Sequence, residues 1–141
     1  MSNPFAGTWT YRSFLNNPAP VDGDPEKLLA LLFAEGQWTV QDSADTVFTG
    51  TLSFGPQAIM DLAGTATPAR TGAPARMHVV GSGRPGTSTE HYFYDYDGAI
   101  TEHWCNGVKQ VMAITGSVIR VKPHDGGAAG LVASFISVKA D

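Results

Sequence analysis

Short runs in which apolar and polar residues alternate make up most of the chain. The first covers residues 7–15, where aromatic and β-branched residues dominate, and it ends at Asn16-Asn17-Pro18. An alternation with a period of two is typical of a β-strand with one buried face. The face that we expect to point inward comprises Trp9, Tyr11, Ser13 and Leu15.

A helical pattern interrupts the strands between residues 24 and 36. Asp24 can cap a helix, Pro25 suits its first position, and Gly36 supplies a stop. Its apolar residues fall on one stripe, which needs a partner to pack against. The sequence therefore predicts a short helix that covers one open end of the fold. The stripe consists of Leu28, Leu29, Leu32 and Phe33.

Strand patterns resume after the helix and continue to the end of the chain. Asp97-Gly98 and Asn106-Gly107 are typical of two-residue hairpin turns. About eight antiparallel strands must close on themselves or form two packed sheets, because open edges invite aggregation. We expect an all-β, single-domain, up-and-down barrel over residues 1–141, with the two-sheet sandwich as the alternative. The later strands are predicted at residues 37–41, 46–54, 59–67, 76–82, 89–96, 100–104, 109–121 and 131–138.

Composition narrows the classes of function. Nine Lys and Arg against thirteen Asp and Glu give a net charge of −4, so we expect no nucleic-acid partner. Cys105 is the one cysteine, which excludes an intramolecular disulfide and a thiolate zinc motif. The first residues lack an export signal, and no apolar run approaches the roughly 20 residues that cross a bilayer. The sequence predicts a cytoplasmic protein without a membrane partner.

The tripeptide Gly7-Thr8-Trp9 at the start of the first strand resembles the Gly-x-Trp signature that opens lipocalins and the related avidins, two groups of the calycin superfamily. The resemblance implies a barrel that can enclose a small molecule. It also implies that Trp9 closes one end, with an Arg or Lys from near the last strand packed across it. Arg120 is the expected partner and Arg12 its competitor. The biotin-contacting pattern of avidins is not recognisable, so no ligand is carried over.

Residues 90–104 concentrate the side chains that could carry chemistry. Alternation puts Tyr92, Tyr94 and Tyr96 on one face, and the sequence leaves open which face points inward. Inward tyrosines would line a pocket, whereas outward ones would favour a homodimer interface. His–carboxylate pairs in this segment could act as general acid and base or hold a metal, but no local metal-ligand signature is present. The candidates for acid–base catalysis are His91, His103, Glu102 and Asp95.

The leading hypothesis is a small-molecule-binding barrel for a small, mainly apolar ligand, with no cofactor and no metal. Its rival is a cofactor-independent isomerase, cyclase or hydratase on the same scaffold, so the sequence leaves open whether the protein is an enzyme. A third hypothesis is an assembly protein that forms a homodimer. The residues expected to contact a ligand are Trp9, Tyr11, Tyr92, Tyr94 and Trp104.

Overall fold

A computed structural model describes residues 3–44 and 46–141. Eight antiparallel strands follow one another around a closed barrel, and the first strand pairs with the last. A short helix lies between the first two strands. The predicted all-β, up-and-down barrel is therefore confirmed, and the two-sheet alternative is not adopted. The strands are β1 (Gly7–Leu15), β2 (Leu32–Val40), β3 (Val47–Ser53), β4 (Ile59–Thr67), β5 (Arg76–Gly83), β6 (Phe93–Ile100), β7 (Ala113–Arg120) and β8 (Val132–Val138).

Alternation along each strand decides which side chains fill the barrel. Trp9, Tyr11 and Ser13 are buried, whereas Thr10 and Arg12 between them face solvent. The same period governs β8, whose buried and exposed residues alternate. Apolar rings therefore gather inside the barrel because the strand period sends every second residue there.

The two ends of the barrel differ. One end, here called the mouth, carries the connections β1–β2, β3–β4, β5–β6 and β7–β8. The other end, here called the floor, carries the remaining connections and both described ends of the chain. At the floor the Asn3 amide donates to the Ser43 carbonyl at 3.1 Å, and the Ala140 amide donates to the Thr8 carbonyl at 2.8 Å.

Trp9 closes the floor, but its cationic neighbour is not the expected one. The Trp9 indole is fully buried, and its Nε1 donates to the Phe5 carbonyl at 2.9 Å. Lys139 Nζ lies 5.4 Å from the Trp9 ring centroid. Arg120 is the last residue of β7, which runs from floor to mouth, so the structure does not bring Arg120 to Trp9. Arg12 faces outward and pairs with a carboxylate on β2.

The predicted helix is shorter than expected and does not plug the barrel. It is a 3₁₀ helix over Pro25–Leu31, capped by Asp24, whose carboxylate accepts from the Glu26 amide at 3.0 Å. Leu28 and Leu29 are 54% and 70% exposed. Pairing with β1 draws the chain into β2 from Leu32 onward, which splits the predicted apolar stripe between helix and strand. The prediction of a docked helix is wrong. In the described residues, no helix has the length and apolar character needed to cross a membrane.

Both predicted two-residue hairpins are also wrong. Strand β6 continues through Asp97-Gly98 to Ile100, and residues 101–112 then connect it to β7, so the separate strand predicted at 100–104 does not form. A Cβ at Gly98 would lie 2.9 Å from Ile114 Cγ2 and 3.1 Å from Phe135 Cζ. This glycine therefore serves close packing inside the barrel rather than a turn. Asn106-Gly107 does not join two strands either. The Gly107 amide donates to the Trp104 carbonyl at 3.0 Å, which closes a turn within the longer connection between β6 and β7.

Candidate functional site

A cavity of about 300 Å³ opens at the mouth of the barrel. All four tyrosines of the chain contribute to its lining, because alternation along β1 and from Tyr92 into β6 points these rings inward. Two phenylalanines at the mouth ends of β2 and β3 complete the aromatic wall. This volume is at the lower end of the roughly 300–1,000 Å³ found for ligand pockets. The aromatic lining residues are Tyr11, Tyr92, Tyr94, Tyr96, Phe33 and Phe54.

A packed aromatic cluster forms the base of the cavity. The Trp38 ring packs edge-on against Tyr11 at 5.2 Å and Tyr96 at 5.0 Å between centroids. Trp38 Nε1 donates to Ser137 Oγ at 2.6 Å, which fixes the indole. Burial raises the pKa of Tyr11 and of Tyr96 above the ordinary value of a phenol. Both hydroxyls therefore stay protonated at neutral pH and can donate hydrogen bonds.

A chain of four polar side chains, here called the polar chain, lies at the mouth: Arg120, Tyr94, His124 and Asp125. Arg120 Nε donates to the Tyr94 hydroxyl at 3.1 Å, and that hydroxyl lies 2.7 Å from His124 Nε2. His124 Nδ1 lies 2.9 Å from the Asp125 carboxylate. An ionised carboxylate can only accept, so Nδ1 carries a proton. In the neutral imidazole, Nε2 then accepts from the Tyr94 hydroxyl, and the contacts are mutually consistent.

Most of the polar chain is removed from solvent. The His124 side chain is 6% exposed and Arg120 is 8% exposed. The Tyr92 ring stacks on the His124 imidazole, with centroids 3.9 Å apart and planes inclined by 24°. Burial raises the pKa of Tyr94, and the hydrogen bond and charge of Arg120 oppose that shift without cancelling it. Tyr94 is therefore a neutral hydroxyl held in place on both sides.

Arg120 sits in a space that its neighbours leave for it. Its Cζ lies 5.6 Å from the Phe33 ring centroid and 5.9 Å from that of Tyr94. Its Nη1 donates to the Ala128 carbonyl at 3.2 Å. A Cβ at Gly127 would lie 2.8 Å from Arg120 Cζ, so any other residue there would push the guanidinium aside. The β7–β8 connection is thus fitted to a buried arginine.

The chain matches no family model, no curated protein and no solved structure. The interpretation of the cavity therefore rests on the arrangement of its own residues.

Three of the five residues predicted to contact a ligand line the cavity, and two do not. Tyr11, Tyr92 and Tyr94 line the cavity, which answers the question of which face of the tyrosine run points inward. Trp9 lies at the floor, away from the cavity. Trp104 is 66% exposed in the β6–β7 connection. Only the three tyrosines are therefore placed where a ligand in this cavity would touch them.

The four catalytic candidates do not come together. Asp95 lies between two inward tyrosines on β6 and so faces the outside of the barrel. His91 is exposed, with Nε2 3.4 Å from a Glu90 carboxylate oxygen. Glu102 and His103 are exposed in the connection at the floor. Across residues 3–44 and 46–141, no three His, Cys, Asp or Glu side chains gather as a metal site would require.

Sequence reasoning missed Asp125 and, next to it in the polar chain, His124. It follows β7 in the segment Pro123-His124-Asp125-Gly126-Gly127, which forms a tight turn closed by hydrogen bonds between His124 and Gly127. The adjacent His-Asp pair is a signal that the sequence offers. The contact of His124 with Tyr94, thirty positions earlier in the chain, depends on how the β7–β8 connection folds over the mouth.

Proposed function

We propose that this chain is a calycin-like barrel that binds a small, mainly apolar molecule in the cavity at its mouth. The observation that carries the proposal is the convergence of all four tyrosines on one open cavity. Flat apolar walls with a few fixed hydroxyl groups are typical of pockets that orient a ring-containing ligand.

The size of the cavity limits the ligand. A cavity of roughly 150 Å³ accepts benzene, and this one has about twice that volume. A molecule with one or two fused rings therefore fits, whereas a long lipid chain or a macrocycle would extend into solvent. Naphthalene derivatives are suitable probes.

A binding experiment with a matched pair of variants tests this proposal. Val118 is buried and lines the cavity, whereas Ile119, next to it on β7, is exposed on the outer face. Val118→Phe fills the cavity, and Ile119→Phe adds the same ring outside it. We expect calorimetric titration with naphthalene-2-carboxamide to show binding to the wild type and to Ile119→Phe, and little or none to Val118→Phe. Equal binding by both variants would place the probe elsewhere.

An enzymatic function on the same barrel has one specific observation in its favour. Tyr94, His124 and Asp125 are linked by contacts of 2.7 and 2.9 Å at the edge of the cavity. Tyr94 could accept a proton from a bound ligand while passing its own to His124 Nε2, with Asp125 stabilising the imidazolium. Such a step suits an isomerase, cyclase or hydratase that needs no cofactor. Conversion of a retained ligand by the wild type but not by His124→Gln would favour this function over binding alone.

Subunit number and cellular location stay predictions of the sequence. The tyrosines that would have formed a homodimer interface point into the barrel, so a dimer would need another surface. A native mass spectrum of the purified protein reports both the subunit count and the mass of any retained ligand. Cell fractionation tests the expected cytoplasmic location.

A further inference from the structure

We infer that the ligand of the cavity is an anion, a small aromatic carboxylate, whose carboxylate group binds Arg120. This inference rests on the proposed binding function and names the chemical class of the molecule bound. It follows from the surroundings of one buried positive charge.

Arg120 differs from the paired arginines on the outside of the barrel. Arg12, Arg76 and Arg84 are each substantially exposed, and each has a carboxylate oxygen at 2.8, 2.8 and 2.6 Å, respectively. Arg120 is more than nine-tenths buried, and within the described residues no carboxylate lies within 4.0 Å of it. Buried charges in proteins are normally paired, because an unpaired charge loses its hydration without compensation.

Some N–H groups of the Arg120 guanidinium have no acceptor among the described residues. Of its five N–H groups, one donates to the Tyr94 hydroxyl and one to the Ala128 carbonyl, as far as the described part of the chain shows. The ring of Phe33 offers a cation–π contact but no acceptor for a strong hydrogen bond. The remaining N–H groups can serve an acceptor that enters the cavity.

The carboxylates nearest to the site are already engaged. Glu35 also lines the cavity, but its carboxylate accepts from Arg12 at 2.8 Å. Asp125 is held by His124 at 2.9 Å. A ligand carboxylate is therefore the partner that best fits Arg120, since its planar oxygen pair matches the fork of a guanidinium. The aromatic walls beside it favour a ring as the rest of the ligand.

Two probes of the same shape separate the charge from the ring. We would titrate the wild-type protein with naphthalene-2-carboxylate and with naphthalene-2-carboxamide by calorimetry. The expected result is at least about tenfold tighter binding of the carboxylate, which is the ratio for one charge-assisted hydrogen bond of ordinary strength. Arg120→Gln should abolish this preference while still binding the amide.

Lys122→Gln is the matched control. It removes the same unit charge two residues away, from an exposed side chain that lies over the outward-facing Phe93 ring at 4.6 Å. We expect the control to keep the preference for the carboxylate. Equal loss in both variants would assign the preference to overall charge and overturn the inference.

The outcomes for the two proposals differ. If the wild type binds the amide as tightly as the carboxylate, the anion inference is wrong and the binding barrel stands. If the wild type binds neither probe, both proposals fail. Circular dichroism and thermal unfolding check that Arg120→Gln folds. If this variant does not fold, equal binding of the two probes by the wild type still overturns the inference.

Discussion

Replacing Tyr94 by Phe removes one hydroxyl from the middle of the polar chain and keeps the ring. The ring contacts with Tyr92 and Phe33, at 5.7 and 6.4 Å between centroids, are retained. The two hydrogen-bond partners of the hydroxyl, Arg120 Nε and His124 Nε2, are left facing a phenyl edge. The substitution therefore measures what the hydroxyl contributes to stability.

The magnitude follows from the burial of those partners. A buried polar group that loses its partner costs about 1–3 kcal/mol, and both partners here are more than nine-tenths buried. The two costs do not add in full, because the cavity opens at the mouth and a water molecule can replace part of the lost hydrogen bonding. We expect Tyr94→Phe to lower the free energy of unfolding by about 1–3 kcal/mol.

Tyr92→Phe is the matched control. The Tyr92 hydroxyl makes no hydrogen bond within the described residues, and its ring would still stack on His124. Loss of the Tyr92 hydroxyl should change the free energy of unfolding by no more than about 0.5 kcal/mol. Urea unfolding followed by tryptophan fluorescence, fitted with a common slope, compares the two variants. Equal stability of the two would refute the assigned polar chain.

Four further outcomes are expected from the same kind of measurement. Trp9→Ala should cost about 3–5 kcal/mol through the cavity that it leaves. Lys139→Gln should cost only about 0.5–2 kcal/mol, the strength of a cation–π contact at a partly buried ammonium; similar losses in urea would contradict the structure at the floor. Gly98→Ala places a methyl group 2.9 Å from β7 and should cost about 1–3 kcal/mol in the same assay. Leu29→Ser should be neutral within about 0.5 kcal/mol, because the 3₁₀ helix is exposed; a large loss would show that the helix is docked. Finally, burial raises the pKa of Tyr96 in the folded protein. As the pH rises, the tyrosine therefore ionises in the unfolded chain at a lower pH than in the folded one. The free energy of unfolding should be at its full value below about pH 10 and fall as the pH rises further. An ultraviolet titration in which Tyr96 ionises before the protein unfolds would contradict this assignment.

Strand alternation made the barrel predictable from the sequence. A half-buried strand buries every second residue. The alternation of residue types along β1 therefore indicates from the sequence alone that Trp9, Tyr11 and Ser13 point inward. Pairing of β1 with a late strand could also be predicted, because the two edge strands of an eight-stranded sheet need a partner. These are local or general requirements, and neither depends on a particular long-range contact.

The features that the sequence did not reveal depend on such contacts. The dipeptide Asp97-Gly98 is compatible with a turn, but Gly98 is needed where β6 packs closely on Ile114 and Phe135. The helical stripe was wrongly predicted because pairing with β1 outweighed a local helical preference from Leu32 onward. His124 reaches Tyr94 only through the folding of the β7–β8 connection. In each case a distant partner decides between two locally acceptable structures.

The residues at the floor give the barrel a site of attachment away from the cavity. The segment that begins at Asn3 and the residue Asp141 both attach at the floor, where the Thr8 amide donates to the Asp141 carboxylate at 3.2 Å. A carrier fused next to Asn3 or Asp141 would therefore lie on the side opposite the cavity. Immobilised through such a fusion on a sensor surface, the barrel would present its mouth to the solution.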